Sequence, residues 1–417
     1  MAFAPDQTLW ADARPPEAPA PQRPLRVLSF TTVYPQPGNP VHGLFVQERL
    51  RHLSGRADIR VVAPVAAWHR RRGAGEDAFE ALPVLRPAFH YVPGVLKGLD
   101  GALLALSALP AVRRLRRGFD FDVIDAHFTY PDGFAAVLLG AWFGRPVTIT
   151  ERGTLIPLSA DPVRRRLADW ALHRADRTIA VAANLAERIR ACGVPAERCT
   201  VIENGVDADR FRPLDRAAAR ARAGCPHGGR LLVSVGHLSM RKGFHRLIAV
   251  LPRLLDRFPD LALAIVGGPG AEGDARARLE RRAAELGVSG RVLFAGAQPP
   301  DGVAAWLAAG DLFALATDYE GCPNVVWEAM ACARPVVVTR VGHVAHMVPP
   351  FAGLLCDRPD DADEWTRRIA DALDRDWDRA RIRRHAEAHT WDRVADRVLR
   401  EWRLAVADHQ QRPEPKP

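Results

Sequence analysis

The sequence predicts an α/β protein with two doubly wound, parallel-sheet (Rossmann-like) domains that face each other across a cleft. Short apolar, β-branched runs alternate with helix-length segments along the whole chain. Nearly unbroken apolar strands of this kind are typical of parallel sheets covered by helices on both faces. At 417 residues the chain exceeds one ordinary core, because a domain holds roughly 150 residues. A content of 48% hydrophobic and 26% charged residues excludes a disordered or fibrous protein.

The predicted strands fall into two series. In the first half of the chain they cover residues 25–30, 59–65, 121–128, 146–151, 177–182 and 200–205. In the second half they cover residues 231–236, 261–268, 291–296, 311–317, 335–340 and 353–357. Ligands of doubly wound sheets bind at the carboxyl ends of the strands, so we expect the functional site in the cleft between the domains.

The boundary between the domains is expected in residues 207–230, DADRFRPLDRAAARARAGCPHGGR. This segment is polar, rich in arginine and ends in a cluster of Gly, His and Pro, so we interpret it as a linker. It separates a first domain, residues 25–206, from a second domain that begins at residue 231. Residues 1–24 hold acids and prolines where a signal peptide needs a basic start and an apolar stretch. We expect a disordered lead-in there.

The cysteines indicate a reducing compartment. All six are scattered, with no C-x-x-C pair and no metal-ligand spacing against histidine, so we expect free thiols, no metal site and a cytoplasmic location. No apolar run approaches the roughly 20 residues that span a bilayer.

Positive charge is concentrated in the first half of the chain. The net charge is +9, and residues 1–200 hold 26 Lys or Arg against 19 Asp or Glu. Within this half, residues 101–117 join an apolar stretch to four arginines, a pattern compatible with a helix at an anionic membrane surface. The alternative is an ordinary packed helix with a charged end. Nucleic acid is not an expected partner, because the cations lie in separate runs and only 7% of residues are aromatic.

The stretch YEGCPNVVWEAMACARPVVVTR, residues 319–340, places two glutamates around a predicted helix start. Glu320 lies in the loop after a strand, Glu328 lies in the helix, and Asn324 is the predicted N-cap. The free N–H groups of a helix start favour an anion such as phosphate. A phosphate with a carboxylate on either side suggests a nucleotide-sugar as the ligand. The two carboxylates would accept hydrogen bonds from its sugar hydroxyls. Two surface glutamates without a ligand are the alternative for this stretch alone.

A second stretch, VSVGHLSMRKGF, supports the phosphate interpretation. It combines a strand, a glycine-bearing loop and the cations Arg241 and Lys242, in a chain with only three lysines. Such cations at the carboxyl end of a strand are placed to neutralise a diphosphate. In the first strand-to-helix connection Gly38 and Gly43 permit close backbone approach to a phosphate. No G-x-G-x-x-G and no P-loop motif is present in the sequence.

These motifs resemble those of GT-B fold glycosyltransferases of family 4, which are retaining and use nucleotide-sugars. The resemblance covers about residues 25 to 405 and is most specific in residues 320–348, which carry the Glu-x7-Glu signature. VGHLSMRKGF, IENGVDADRFRP and HTWDRVADRVLREW support it. It implies a donor domain over residues 231–388, a last helix over residues 389–408 that crosses back to the first domain, and a tail over residues 409–417.

The resemblance also implies roles for individual residues. Glu328 is expected to hold the ribose hydroxyls of the donor and Glu320 the hydroxyls of its sugar. Lys242 is expected to bind the diphosphate, and the base is expected against residues 295–299. The other expected donor-binding residues are Gly43, Gly236, His237, Ala297, Gly321, Asn324 and Val325.

The chain departs from the family pattern at two positions. His237 stands where an arginine is usual, and the neighbouring Arg241 is the expected substitute. Arg152, in TERGT, stands where many members carry a histidine, and an arginine stays protonated and cannot act as a base. His127 therefore remains the first-domain candidate for a contact with donor or acceptor, beside Glu320, Lys242 and Arg241 as expected catalytic residues. A structural histidine is the alternative.

The predicted function is the transfer of a sugar from a nucleotide-sugar to a glycan or lipid-linked acceptor with retention of configuration, in polysaccharide or glycolipid biosynthesis. No metal or other cofactor is expected, and an anionic membrane surface is the further expected partner. The alternative is a basic protein of the same fold that binds anionic membrane or another polyanion without catalysis.

Overall fold

Two parallel sheets, one in each half of the chain, organise the computed structural model of the protein. The structure describes residues 23–36, 42–67, 82–91, 96–158, 160–226, 228–270 and 272–412. Gly38 and most of the predicted lead-in therefore lie outside the described residues.

The first domain contains a seven-stranded parallel sheet. Its strands, with a separate short pair formed by β3 and β5, are β1 (Leu25–Phe30), β2 (Ala57–Val62), β3 (Val65–Ala66), β4 (Val84–Leu85), β5 (Ala88–Phe89), β6 (Val123–His127), β7 (Val147–Glu151), β8 (Arg177–Ala180) and β9 (Cys199–Val201). The order in the sheet is β4-β2-β1-β6-β7-β8-β9. Its helices are α1 (Leu44–Leu53), α2 (Asp100–Gly118), α3 (Phe134–Phe143), α4 (Leu155–Leu158), α5 (Pro162–Arg174) and α6 (Ala183–Ala191).

The second domain contains a six-stranded parallel sheet. Its strands are β10 (Leu231–Val235), β11 (Ala262–Val266), β12 (Val292–Gly296), β13 (Leu312–Leu315), β14 (Val336–Thr339) and β15 (Gly353–Cys356), in the order β12-β11-β10-β13-β14-β15. The helices that follow the first domain are α7 (Arg216–Ala223), α8 (Phe244–Arg257), α9 (Arg276–Glu285), α10 (Pro300–Ala309), α11 (Asn324–Ala331), α12 (Val344–Met347), α13 (Ala362–Asp374), α14 (Arg379–Glu387) and α15 (Trp391–Gln410).

This architecture confirms the predicted fold class. Each predicted strand coincides with a strand of one of the two large sheets, because central parallel strands are buried on both faces and are therefore apolar throughout. In β11, for example, every residue of ALAIV is buried. The short strands β3, β4 and β5 were not predicted, since two residues are too few to give a pattern.

The predicted linker contains an ordered helix. Helix α7 lies within residues 207–230 and packs on α10 of the second domain. The Arg220 guanidinium lies 3.4 Å from the Asp311 carboxylate, which also accepts the backbone N–H of Leu231 at 2.8 Å. Asp311 thus ties α7 to the start of β10, so most of this segment belongs to the second domain.

The chain passes between the domains along two adjacent segments. Val206, on the way out of the first domain, pairs with Thr390, on the way back, in a parallel bridge. Beyond this bridge α15 packs along α1 of the first domain. Its Trp402 is fully buried in a cluster with Val27 and Leu50. The last helix of the chain therefore completes the core of the first domain.

Helix α2 carries the apolar and basic stretch noted in the sequence. Leu104, Ala108 and Val112 face the core, and Arg113, Arg114 and Arg117 are exposed.

None of the helices in the described part of the chain combines the length and the apolar content needed to cross a bilayer.

We predict that Trp402→Ala lowers the free energy of unfolding of the protein by about 3–5 kcal/mol, because it leaves a large cavity between α15 and the first-domain sheet. Urea unfolding followed by far-UV circular dichroism measures this change. Arg400→Ala, on the exposed side of the same helix, is the matched control and should stay within about 0.5 kcal/mol of wild type. A similar loss in both variants would contradict the packing described here.

Candidate active site

A cavity of about 480 Å³ lies between the domains, where the carboxyl ends of both sheets meet. The start of α1 and the segments that follow β6 to β9 form one wall, and segments that follow β10 to β13 form the other. All but two of the predicted site residues line it, namely Gly236, His237, Arg241, Lys242, Ala297, Glu320, Gly321, Asn324, Val325 and Glu328. The two exceptions are Gly43, whose neighbours Leu44 and Phe45 line the cavity, and His127.

Glu320 is held by a network of donors. Its carboxylate accepts a hydrogen bond from Lys242 Nζ at 2.5 Å and another from the Thr317 hydroxyl at 3.1 Å. Arg241 approaches the same carboxylate at 3.7 Å and forms its closer ion pair, 2.8 Å, with Glu272. The predicted cations and the first predicted glutamate therefore form one charge-compensated cluster in the cleft.

Two glycines shape the backbone around the cavity. Gly342 has φ +53°, and a Cβ there would lie 1.8 Å from the carbonyl oxygen of Glu320. Gly43 has φ +74° at the start of α1, and a Cβ there would lie 2.4 Å from the Val33 carbonyl oxygen. Only glycine fits both the conformation and the space at these positions. Gly342 thereby lets the turn after β14 support the loop that carries Glu320.

Glu328 is in a different state from Glu320. It faces the cavity from the second turn of α11, and its carboxylate has no hydrogen-bond partner among the described residues. Burial raises the pKa of Glu328 to about 7; the nearby charge of Arg210 opposes this rise and that of Glu48 adds to it. The site therefore presents one compensated carboxylate and one that has no protein donor.

Helix α11 begins one residue earlier than predicted. Pro323 occupies the N-cap position and Asn324 is the first helical residue, so the prediction of Asn324 as a side-chain cap is wrong. Its side-chain oxygen instead accepts a hydrogen bond of 2.8 Å from Asn204 Nδ2. Asn204 belongs to the first domain and links that domain to the start of α11.

Arg152 lies on the other side of Asn204. Its NH1 group donates to Asn204 Oδ1 at 2.8 Å, and its NH2 group lies 3.4 Å from His127 Nδ1. The face of the guanidinium lies 4.9 Å from the centre of the Phe45 ring. Burial, with a contribution from Arg49, lowers the pKa of Arg152 to about 9, so the group is still protonated at neutral pH.

His127 lies beneath Arg152 and is fully buried. Its Nε2 is 3.2 Å from Asp125 and 3.3 Å from the Ser29 hydroxyl. Burial lowers the pKa of His127 to about 4, so the ring is neutral. Because an arginine only donates, Nδ1 accepts from Arg152, and Nε2 carries the hydrogen and donates it to the Ser29 hydroxyl. The predicted contact of His127 with donor or acceptor stays a prediction. In this geometry His127 reaches the cleft only through Arg152.

Sequence reasoning missed the roles of three residues in this site. Asn204 was quoted only as part of IENGVDADRFRP, although it joins the domains. Tyr319 donates its hydroxyl to the Gly153 carbonyl at 3.3 Å, across the cleft. Arg152 was noted only as a departure from a family pattern. An asparagine or tyrosine beside a motif is a weak signal, because its partner in the other domain lies more than 100 residues away in each case.

One group of potential metal ligands lies in the described part of the chain, formed by Glu48, His52 and Asp207. Arg210 Nη1 contacts both carboxylates, Glu48 at 3.2 Å and Asp207 at 3.5 Å. Arg51 lies 2.8 Å from Glu48. Arginines thus already neutralise the two carboxylates.

Sequence comparisons assign both domains. Residues 42–210 match the model of the family described as glycosyltransferase family 4, and residues 215–389 match that of the glycosyl transferases group 1. The D-inositol 3-phosphate glycosyltransferase of Nocardia farcinica is 33% identical over 59% of this chain and 56% of its own length. The enzyme of the same name, numbered 1, from Catenulispora acidiphila is 31% identical over 72% of this chain and 76% of its own length. The match thus spans little more than half the length of the Nocardia relative.

Solved structures share the fold. HepE of Anabaena, in a complex with UDP and glucose, aligns with a TM-score of 0.71 at 19% identity, over 90% of this chain and 98% of its own. Sucrose-phosphate synthase of Thermosynechococcus elongatus aligns with a TM-score of 0.77 at 21% identity, over 93% of this chain and 100% of its own. The chain belongs to glycosyltransferase family 4 and has the GT-B fold, as its motifs indicate.

The state of Glu328 predicts a pH-dependent difference in stability. Its pKa is about 7 in the folded protein, against an ordinary value of 4.5, so the folded state holds this proton after the unfolded state has lost it. Stability from Glu328 is complete below pH 4.5 and is lost as the pH rises through 7. We therefore expect the free energy of unfolding of Glu328→Gln, relative to that of wild type, to increase as the pH rises from about 4.5 to 7.

Urea unfolding of both proteins at pH 5, 6, 7 and 8 measures this difference. Glu285→Gln, at an exposed site on α9, is the control for replacing a glutamate. A gap between Glu328→Gln and wild type that stays constant over the series would show that Glu328 has an ordinary pKa.

Proposed function

We propose that the protein transfers a sugar from a nucleotide-sugar donor to a glycan or lipid-linked acceptor, with retention of the anomeric configuration. The observation that carries the proposal is the pairing of Lys242 with Glu320 in the same cavity as the unpartnered carboxylate of Glu328. Membership of family 4 and the UDP and glucose named for HepE of Anabaena support a nucleotide-sugar as donor.

The donor diphosphate lies against Lys242 and Arg241. Lys242 Nζ is 2.5 Å from Glu320, so diphosphate binding draws the lysine from the carboxylate. The backbone N–H groups of Asn324 and Val325 at the start of α11 supply further donors, since the first N–H groups of a helix have no partner within it. Gly43 allows the start of α1 to approach from the first domain. These groups give the diphosphate its counter-charge without a bound metal.

The two glutamates bind the two ends of the donor. Glu328 accepts hydrogen bonds from the ribose hydroxyls, which supply the donors that its carboxylate lacks in the protein. Glu320, once Lys242 turns to the diphosphate, accepts from hydroxyls of the transferred sugar. The base lies against the segment around Ala297, which lines the cavity, as does His237.

The transfer takes place on one face of the sugar. The bond between the anomeric carbon and the diphosphate oxygen breaks, the acceptor oxygen bonds to the same face, and the acceptor proton passes to the departing diphosphate. Such a reaction depends on stabilising the charge that develops on the leaving group, which Lys242 and Arg241 provide. The low pKa of buried His127 and the protonated state of Arg152 agree with a mechanism that uses neither as a base.

A thermal-shift screen against UDP-, GDP- and ADP-sugars tests the donor site. A ligand at about 100 times its dissociation constant stabilises a protein by roughly 2.7 kcal/mol, so we expect one nucleotide class to raise the melting temperature of wild type. Glu328→Ala and Lys242→Ala should abolish this shift, because each removes a proposed donor contact.

Arg282→Gln, on the exposed surface of α9, is the control and should retain the shift. If folded wild type responds to none of the three classes, the result favours the alternative function, a non-catalytic protein that binds anionic surfaces.

We further propose that the enzyme works on its acceptor at the inner, cytoplasmic face of a membrane, in polysaccharide or glycolipid biosynthesis. In the described part of the chain the large exposed apolar side chains all lie in the first domain, namely Leu96, Leu99, Leu106, Trp142 and Val163. Leu106 and Arg113 are seven residues apart, so they share one stripe of α2, and Leu99, seven residues before Leu106, is the N-cap residue of this helix.

Two contacts join the neighbouring helices to this stripe. Arg113 lies over the Trp142 ring of α3 at 5.7 Å. Gly98 lies beside Val163 of α5, so closely that a Cβ there would be 2.9 Å from the valine side chain. The exposed apolar side chains and the arginines of α2 therefore form one surface, and apolar side chains rimmed by cations suit an anionic lipid surface.

Replacement of Arg113, Arg114, Arg116 and Arg117 with Ser should abolish co-sedimentation with vesicles of phosphatidylglycerol and phosphatidylcholine. Each basic residue near an anionic membrane contributes about 1 kcal/mol, so we expect affinity to fall on the order of 100-fold or more. The matched control replaces four exposed arginines of α9, Arg276, Arg278, Arg281 and Arg282. Equal loss in both variants, or unchanged binding in the first, would exclude this surface as the membrane contact.

A further inference from the structure

Arg152 has more hydrogen-bond donors than the protein around it uses. A guanidinium has five N–H donors, and the described residues accept one from NH1, through Asn204, and one from NH2, through His127. Its Nε is buried without a partner. NH1 and NH2 therefore each keep one N–H beyond these contacts, in a side chain that lines the cavity.

The charge of Arg152 is also uncompensated locally. No carboxylate among the described residues lies within 4.0 Å of its guanidinium, and the groups nearest to it are a neutral imidazole, an amide and the Phe45 ring. Buried cations in proteins are normally paired, because removing a charge from water is strongly unfavourable. A partner from outside the protein would complete this site.

The two nearest carboxylates are engaged elsewhere. Asp125 accepts from the Thr148 hydroxyl at 2.8 Å through Oδ1, which also lies 3.8 Å from Arg49 Nη2, and its Oδ2 lies 3.2 Å from His127 Nε2. Glu151 accepts from the Gly153 N–H at 2.6 Å, the Leu155 N–H at 3.1 Å and the hydroxyls of Thr129 and Thr154. Both acids shape the loop and the histidine around Arg152 and leave its outer N–H groups for another acceptor.

The position of Arg152 in the cleft separates it from the cations assigned to the diphosphate. It lies on the first-domain wall, beside the loop that carries Glu320. The Gly153 carbonyl accepts the Tyr319 hydroxyl at 3.3 Å, and a Cβ on Gly321 would lie 3.1 Å from the Arg152 carbonyl oxygen. Arg241 and Lys242 are on the opposite wall and are already paired with Glu272 and Glu320.

We infer that Arg152 binds an anionic group, a carboxylate or a phosphate, carried by a substrate at the sugar end of the cleft. The inference rests on the proposed function, because it names a feature of the substrates of that same site. The group is borne either by the transferred sugar, as in a uronic acid, or by the acceptor. An arginine suits both, since its planar fork matches the oxygens of a carboxylate or phosphate.

The residues beneath Arg152 hold the fork in place. Neutral His127, fixed by Asp125 and Ser29, accepts from NH2, and Asn204 accepts from NH1. The Phe45 ring covers one face of the guanidinium. His127 is therefore a positioning residue for Arg152 in this arrangement.

The test compares matched pairs of ligands by isothermal titration calorimetry. One arm measures UDP-glucuronic acid against UDP-glucose, or GDP-mannuronic acid against GDP-mannose, according to the nucleotide that binds in the screen. The other arm measures glucose 6-phosphate against glucose with the nucleoside diphosphate bound. Hydrogen bonds to a charged group stabilise a complex enough to raise the affinity for the anionic ligand over the neutral one by roughly 10- to 100-fold. We expect wild type to show this preference for the anionic member in one arm, and that arm identifies the source of the anion.

Arg152→Gln should lose the preference while its affinity for the free nucleoside diphosphate stays within about twofold of wild type. Arg152→Lys keeps the charge but not the planar fork of donors, so it should retain part of the preference for the anionic ligand. If Arg152→Gln fails to fold, the comparison of Arg152→Lys with wild type takes its place. Arg282→Gln is the surface control for replacing an arginine.

Three results would overturn the inference. They are no anionic preference by wild type in either arm, a preference that persists in Arg152→Gln, and a loss of nucleoside diphosphate affinity as large as that of Lys242→Ala. The last result would make Arg152 a diphosphate contact. If wild type binds no nucleoside diphosphate, the proposed function itself fails, and that outcome is distinct from all three.

Discussion

The hydrogen bonds of Asn204 fix the relation between the two walls of the cleft. Its side chain accepts from Arg152 of the first domain and donates to Asn324 at the start of α11 in the second. Because α11 carries Glu328 and follows the loop of Glu320, this amide, together with the bond between Tyr319 and Gly153, links the first-domain cation to the second-domain carboxylates. An amide is suited to such a link, since it offers an acceptor to one wall and donors to the other.

The two glutamates that mark the sequence differ in the free protein, and the difference follows from their neighbours. Glu320 lies beside Lys242, so its charge is balanced before any substrate arrives. Glu328 lies where burial outweighs the attraction of Arg210, so its charged form is disfavoured. On donor binding, Glu320 must therefore exchange Lys242 for a hydroxyl of the substrate, whereas Glu328 must acquire its first hydrogen-bond donors.

Much of this arrangement could be predicted from the sequence, and the reasons are local. Strands buried on both faces reveal themselves by apolar runs, and doubly wound sheets place the loops after those strands at one edge. Glu320, Lys242 and Ala297 were therefore expected in one cleft, and they line it. Contacts between distant residues could not be predicted from the sequence, because they depend on how separate segments meet in space. Examples are the bond between Lys242 and Glu320, the burial of His127 beneath Arg152, and the packing of α7 on α10.

The path of the last helix bears on how the chain folds as it is made. Trp402 of α15 fills the first-domain core beside Val27 and Leu50, which are synthesised before the second domain. Domains generally fold in order from the N-terminus during synthesis, yet the first domain lacks this part of its interior until the whole second domain has been translated. The apolar face of α1 is therefore left uncovered while the second domain is being made, until α15, a helix of about five turns, packs against it.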